Sequence, residues 1–314
     1  MSDRLGVLLM TYGSPADDLH DLPDYLAAVR GGREPSPELV TEFRRRYQAI
    51  GGSPLTRITR DQAAAVESRL REDGVDGVAT VGMRFSAPTI LDGLRLLAER
   101  GCRRVTGIVM SPQYSEVLMA GYGDAVEGAR ELLGPAAPHV VLAPAWHRHP
   151  DFVGAVADRI RDGLRGLADD VPVLLTAHSL PRRVADREPG YLGQLRETAE
   201  LVAEAAGLTP DRWQFCWQSA GHEPGEWMKP DFADLMPRLR DAGHRAVLVA
   251  PIQFLADHLE ILYDIDIAAR HQAEAEGLVF RRIESLNTAP RFIAALADLA
   301  RSAQRQTARP GPAA

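Results

Sequence analysis

Lysine is almost absent from this chain. Lys229 is the only one among 36 basic residues, and arginine supplies the rest. Against 43 acidic residues this leaves a formal net charge of −7, which argues against a nucleic-acid partner, since such partners usually call for a basic face. Cysteine is nearly as scarce. Cys102 and Cys216 cannot build a disulfide framework, and they are too few for a four-cysteine iron–sulfur or zinc centre. Long apolar runs are missing too. The opening MSDRLGVLLMTYGSP turns polar too soon for a signal peptide, and no stretch reaches the ~18 apolar residues needed to cross a membrane. A cytoplasmic protein with no membrane insertion is therefore expected. There is no Gly-x-Gly-x-x-Gly after the first strand candidate and no Gly-x-x-x-x-Gly-Lys-Ser/Thr, so nucleotide binding has no support. A Gly-x-Ser-x-Gly elbow is also lacking. Ser179 directly follows His178, but neighbours on an extended turn point apart, which disfavours a Ser–His dyad.

What remains is ordinary globular composition, 45% hydrophobic and 25% charged over 314 residues, enough for two domains of ~150 residues each. Short β-rich runs occur at 6–11, 78–83, 105–111, 140–144, 171–177, 213–218, 246–253 and 279–283. Amphipathic helical patterns lie between them at 61–72, 89–99, 123–133, 152–167, 193–206, 232–241 and 258–275. Near-continuous apolar strands separated by helices predict an α/β fold with parallel sheets covered on both faces. LGVLLMTYGSP echoes VPVLLTAHSLP, and AERGCRRVTGIVMSPQYS echoes RDAGHRAVLVAPIQFLADH. Two related doubly wound halves give such echoes, and so do unrelated βαβ units. The expected division is 1–145 and 146–303, with a Pro/Ala-rich disordered tail at 304–314.

Open α/β sheets bind ligands beyond the carboxyl ends of their strands. The residues to search are therefore Tyr12, the loop after Met83, Pro112–Tyr114, His178, Gln218–Ser219 and the loop from Gln253 to His258. In LLTAHSLP a histidine stands where a core strand breaks open. In DHLEILYDID, read as a helix, Asp257, Glu260 and Asp264 share a face at i, i+3 and i+7. Taken singly, each feature has a plain structural explanation: a capping or core histidine, and a solvated acidic face. Both follow strands that should be sheet neighbours, so together they point to an imidazole and a carboxylate converging on one rim. That pair suits a divalent metal that must be picked up and released, or a proton acceptor.

LLTAHSLP, WQSAGHEPGEWMKPD and APIQFLADHLEILYDID resemble, in order and separation, the signature segments of ferrochelatases. LLMTYGSP, VRGGREPSPELVTEFRRRYQAIGGSPLTRIT and SPQYSEVLMAGY resemble the short, soluble branch of that family that inserts iron into coproporphyrin III. The resemblance spans nearly the whole chain. It implies two Rossmann-like, chelatase-type domains with a porphyrin cleft between them. It also implies that His178 and Glu260 form the metal-insertion site, and that Tyr12 on the opposite face of the macrocycle ligates product iron. Arg30, Arg46, Tyr47, Ser53 and Tyr122 match positions that hold the porphyrin and its propionates. Where relatives often carry two consecutive arginines, Arg30 is followed by Gly31 and Gly32, so Arg33 is the candidate for the second contact.

The resemblance further implies Fe2+ and coproporphyrin III as substrates in heme biosynthesis, without an iron–sulfur cluster. It also implies a monomer that touches the downstream heme-pathway enzyme only transiently. A protoporphyrin IX ferrochelatase, a non-catalytic tetrapyrrole carrier or sensor, and a cobalt chelatase remain as alternatives. With an ordinary pKa near 6.5, His178 is expected neutral and able to accept a pyrrole proton. His147 and His149 have metal-like spacing but fall in an expected linker, and His222 and Glu223 are expected at the surface. Trp217, Trp227 and Pro230 are expected to pack, and Cys102 and Cys216 to lie near strand starts.

Overall fold

Each of the eight apolar runs is a β-strand in the computed structural model, which describes residues 4–221 and 225–307. The strands are β1 (Leu5–Thr11), β2 (Gly77–Met83), β3 (Arg104–Val109), β4 (His139–Leu142), β5 (Val173–His178), β6 (Trp213–Gln218), β7 (Ala246–Pro251) and β8 (Val279–Arg282). All pairings are parallel. The first four strands form a sheet in the order β2-β1-β3-β4, the last four a sheet in the order β6-β5-β7-β8. The two echoed segments thus occupy equivalent places: β1 corresponds to β5, and β3 to β7. In each sheet the first strand lies between the second and third, so successive connections leave it in opposite directions. That reversal is where an open α/β sheet leaves a crevice for ligand.

Helices α1 (Leu22–Val29), α2 (Pro37–Ala49), α3 (Leu55–Glu72), α4 (Ile90–Glu99) and α5 (Glu116–Leu133) belong with the first sheet. With the second go α6 (Pro150–Leu164), α7 (Arg182–Ala185), α8 (Pro189–Ala206), α9 (Phe232–Asp241), α10 (Leu259–Leu262) and α11 (Arg270–Ala275). A last helix, α12 (Pro290–Thr307), ends the described chain. Local signals explain several boundaries. α4 and α9 open on capping boxes, Thr89 with Asp92 and Asp231 with Asp234. α8 starts on Pro189 and stops at Gly207, whose φ of 75° suits a residue without Cβ.

The chain divides into two compact units. Among the described residues, one takes 4–112, Glu116–Trp146 and 287–307; the other comprises Gln113–Ser115 and His147–Leu286. The expected break near residue 145 therefore lies one residue from the observed one, but residues 287–303 belong to the first unit, not the second. α12 packs there through its apolar face, Thr106 Oγ1 donates to Ala300 O at 3.0 Å, and Arg301 pairs with Asp73. The expected tail is also shorter at its start, because α12 continues to Thr307; residues 308–314 lie outside the described residues. Residues 113–115 join the second unit through α8: Gln113 Nε2 donates to Thr198 Oγ1 at 2.9 Å, and Tyr114 N donates to Gln194 Oε1 at 2.7 Å.

Each unit has its own core. Leu8, Met10, Leu94, Leu97 and Val105 are buried in the first, and Leu174, Val247, Val249, Ile261, Ile265 and Phe280 in the second. Full burial of one such side chain contributes about 1.5–3 kcal/mol. No described helix is long and apolar enough to cross a membrane.

Candidate metal-insertion site

In the second unit, β5 and β7 pair only as far as Thr176 opposite Pro251. Beyond that point β5 runs on to His178, while the chain after β7 turns through Gln253–His258 into α10. His178 and Glu260 are thereby brought together, with Nε2 3.5 Å from Oε1. Sequence reasoning did not single out the third member of the group. His258, at the start of α10, places its Nε2 3.5 Å from the other oxygen, Glu260 Oε2. Both imidazoles use Nδ1 on a backbone carbonyl, His178 on Ser179 O at 2.5 Å and His258 on Ala256 O at 2.9 Å. A carbonyl only accepts, so each Nδ1 carries a hydrogen. Nε2 of His178 is then the atom of that ring that gains or loses a proton beside Glu260, and Nε2 of His258 faces the other carboxylate oxygen. Phe254 supports both rings, 6.5 Å from His178 and 4.8 Å from His258 between centroids.

The charges are strongly coupled. Burial works to lower the pKa of His178. The Glu260 carboxylate, the Ser179 carbonyl and the charge of Asp264 outweigh it and carry the value up to about 9. Burial works to raise that of Glu260. His178, and after it His258, hold it well below the usual carboxylate range. At neutral pH the resting pair is an imidazolium and a carboxylate. The expectation of a neutral His178 started from the ordinary imidazole pKa; with the Glu260 carboxylate 3.5 Å away the imidazolium is favoured before any metal or porphyrin arrives.

The acidic face on one helix is also corrected. Asp257 precedes α10, and its Oδ1 accepts from Ser285 Oγ at 2.7 Å and lies 3.4 Å from Arg282 Nη2. Beyond α10 the helix widens into a π-helical segment, Asp264–Ala269, before α11 resumes. Asp264 opens that segment and contributes negative potential at His178, while Asp266 forms a two-pronged ion pair with Arg282 at 2.7 and 2.8 Å. Among the described residues, no group of three or more His, Cys, Asp or Glu side chains is arranged as a closed metal site. Ser179 plays no part in a dyad, because its hydroxyl donates to Met228 O at 3.2 Å.

In the first unit, Tyr12 follows β1, the position equivalent to His178. The residue is 37% exposed, and its ring is tilted on Phe85 at 5.3 Å and edge-on to Tyr122 at 6.2 Å. Gly13 comes next with φ of 90°, and a Cβ there would sit 2.1 Å from Ser86 Oγ; only glycine lets the loop pass this close. Arg84, also not singled out, lies over Phe85 at 4.7 Å and Tyr122 at 5.5 Å, a cation held against aromatic faces. The room for it comes from Gly121, where a Cβ would meet its guanidinium. Burial, then the neighbouring Tyr12, raises the pKa of Tyr122, with Arg84 opposing.

A family model described as Ferrochelatase matches residues 4–304. The chain belongs to the ferrochelatase family. A protein of Deinococcus radiodurans named Ferrochelatase is 39% identical over 94% of each chain. A Coproporphyrin III ferrochelatase of a Geobacillus species is 34% identical, covering 94% of this chain and 96% of its own. Among solved structures, SirB from Bacillus subtilis with Fe3+ superposes with a TM-score of 0.62 at 11% identity, covering 97% of each chain. That likeness extends the chelatase fold well beyond recognisable sequence.

The remaining positions implied by the ferrochelatase resemblance all lie in the first unit. Arg30 caps α1, and among the described residues its Nε is buried without a hydrogen-bond partner. Arg33 Nε donates to Arg30 O at 3.2 Å, across a turn that Gly31 and Gly32 make with positive φ. Arg46 pairs with Glu42 at 2.8 Å, and Arg45 and then Arg46 hold that carboxyl down to about 2. Tyr47 is buried on the same helix, and Ser53 accepts from Ser14 Oγ at 2.9 Å. His147 and His149 do not converge: His147 pairs with Glu197 at 2.9 Å, and His149 caps α6 through Asp151 N at 3.2 Å. Cys102 and Cys216 are both buried, and Cys216 lies within β6, not at its start. Trp217 is buried as expected. His222 and Glu223 lie outside the described residues.

Proposed function

We propose that the chain inserts Fe2+ into coproporphyrin III, releasing two pyrrole protons and no electrons. The observation that carries this reading is Glu260 held between the Nε2 atoms of His178 and His258 at the carboxyl end of β5. Metal insertion needs a negative group to draw the cation in and bases to take protons off the pyrroles, and this trio offers both within one hydrogen-bonded unit. Glu260 is ionised and aids metal approach. His178 is the proton acceptor, and it reaches that state by first giving up its own proton. An arriving divalent cation favours that loss, because like charge destabilises an imidazolium. A bent macrocycle exposes lone pairs that a flat one hides, so a site matched to the bent form lowers the barrier.

Several features favour coproporphyrin III over protoporphyrin IX: the names of relatives that span nearly the whole chain, a buried Arg30 Nε with no partner among the described residues, and Tyr12 at the strand end. We place His178, Glu260 and Tyr12 on the iron, and Arg30, Arg46, Tyr47, Ser53 and Tyr122 around the porphyrin. The enzyme would act as a cytoplasmic monomer without an iron–sulfur cluster, and would pass its product on through transient contact with the next enzyme of heme synthesis. A carrier of the same fold would need neither a base nor a metal-attracting carboxylate.

The test is His178→Ala. Porphyrin binding, followed by absorbance, should persist within a few-fold, while insertion falls about 10²–10⁴-fold, the range typical for a lost general base. Normal turnover by a folded variant would remove His178 from the reaction.

A further inference from the structure

The strand that ends in His178 leaves a backbone donor without a strand partner. Along a parallel pair, alternate residues face alternate neighbours. Thr176 faces β7 and accepts from Ile252 N at 3.0 Å, while Ser179 faces β6 and donates to Gln218 O at 2.7 Å. His178 N–H faces the β7 side, and pairing with β7 ends at Pro251. The Gln253 side chain fills the place of the missing strand carbonyl, with its Oε1 accepting from His178 N at 2.8 Å. Its orientation is not free, because the other end of the amide, Nε2, donates to the hydroxyl of Tyr191. Tyr191 is 2% exposed and sits in the first turn of α8. The amide therefore bridges a buried helix residue and the backbone of the proposed base. It also lies five residues before His258 in the loop that delivers Glu260.

We propose that Gln253 is a positioning residue for the reaction assigned above, on which this inference rests. It fixes the His178 backbone, and hence Nε2, against Glu260, and Tyr191 sets the direction of its amide. Placement matters because a shift near 1 Å in a reacting group can cost on the order of 10²-fold in rate. Nothing else among the described residues takes the His178 amide proton.

Three substitutions separate positioning from general support. Gln253→Met keeps the length of the side chain and loses the acceptor. Gln253→Asn keeps the amide one methylene too short. Gln253→Glu keeps the acceptor at full length and lets Tyr191 donate to it. The Met and Asn variants should lose about tenfold or more in kcat with KM for coproporphyrin III nearly unchanged. Amide hydrogen exchange should accelerate at His178 and stay the same at Ser179. The Glu variant should recover kcat to within a few-fold and restore protection. Unchanged kcat in a folded Gln253→Met protein would overturn the proposal, as would a parallel change in kcat and KM with His178 exchange unaffected. If Gln253→Met does not fold, the Asn variant is read by the same criteria. Absence of iron insertion by the wild-type protein would instead count against the function itself.

Discussion

At the end of β5, two imidazoles face one carboxylate, and in the proposed mechanism the proton held by His178 sets when that ring could accept another. Because Glu260 lifts His178 to about 9, insertion at saturating porphyrin should rise with pH from about 6.5 towards 9. Glu260→Gln removes the main raising influence, so the midpoint should move down towards 6.5 while the maximal rate falls about 10²-fold or more. A rate profile from pH 6 to 10 for both proteins checks this, and identical midpoints would contradict it. The same shift has a stability consequence. A histidine whose folded pKa exceeds its unfolded value stabilises fully below about 6.5, and this contribution is lost as pH rises through about 9. In the first unit, Tyr12→Phe keeps the ring contacts with Phe85 and Tyr122 and removes only an oxygen. Insertion should persist, whereas the absorption spectrum of bound ferric product should change; an unchanged spectrum would mean that Tyr12 is not a ligand. His178 and Tyr12 were legible in the sequence because each interrupts an apolar strand at its carboxyl end. The strand-end rule marked the loops that hold Arg84, Gln253 and His258 but did not single out those side chains, and Arg282 had no such signal. What each one touches is set by the folded chain and not by a local pattern.

Among the elements, the run after β7 departs furthest from its sequence pattern. Residues 258–275 read as one helix, yet the chain forms a short α-turn, a π-helical segment and a second α-turn. π-Helical segments are frequent at functional sites, and here the segment places Asp264 near His178 while sending Asp266 to Arg282. Arg282 compensates the acidic cluster. Its side chain is 13% exposed and engages Asp266, Asp257 and Ser285. Arg282→Met should therefore destabilise the fold by about 3–5 kcal/mol, since it leaves largely buried carboxylates without their cation. In urea unfolding this would appear as a lower midpoint at unchanged slope, and a loss under about 1 kcal/mol would contradict the assignment. The strands were legible because buried parallel strands are apolar throughout. α1 was missed because it is only 8 residues long, and α2 because its apolar periodicity is thin: only Tyr47 is buried along it, and its Ser36 cap with Pro37 in the first turn is the clearer signal.

For the whole molecule, the repeated strand order explains why two short echoes carried so much information. The same topology is built twice, and the carboxyl end of β1 and of β5 bears the most distinctive side chain, Tyr12 just after one and His178 as the last residue of the other. The allocation of α12 could not be read the same way. Its apolar face states that it must cover a sheet but not which one, and the choice shows only in contacts such as Thr106 with Ala300. Membership of the ferrochelatase family follows from similarity along nearly the entire chain, while the choice of porphyrin rests on fewer residues. The most direct test is an anaerobic insertion assay with Fe2+ in which coproporphyrin III and protoporphyrin IX are offered side by side to the protein. The account predicts rapid conversion of coproporphyrin III to its iron complex, with protoporphyrin IX consumed at least about tenfold more slowly, a ratio worth ~1.4 kcal/mol in the barrier. Equal or faster use of protoporphyrin IX, or no iron insertion into either, would contradict it.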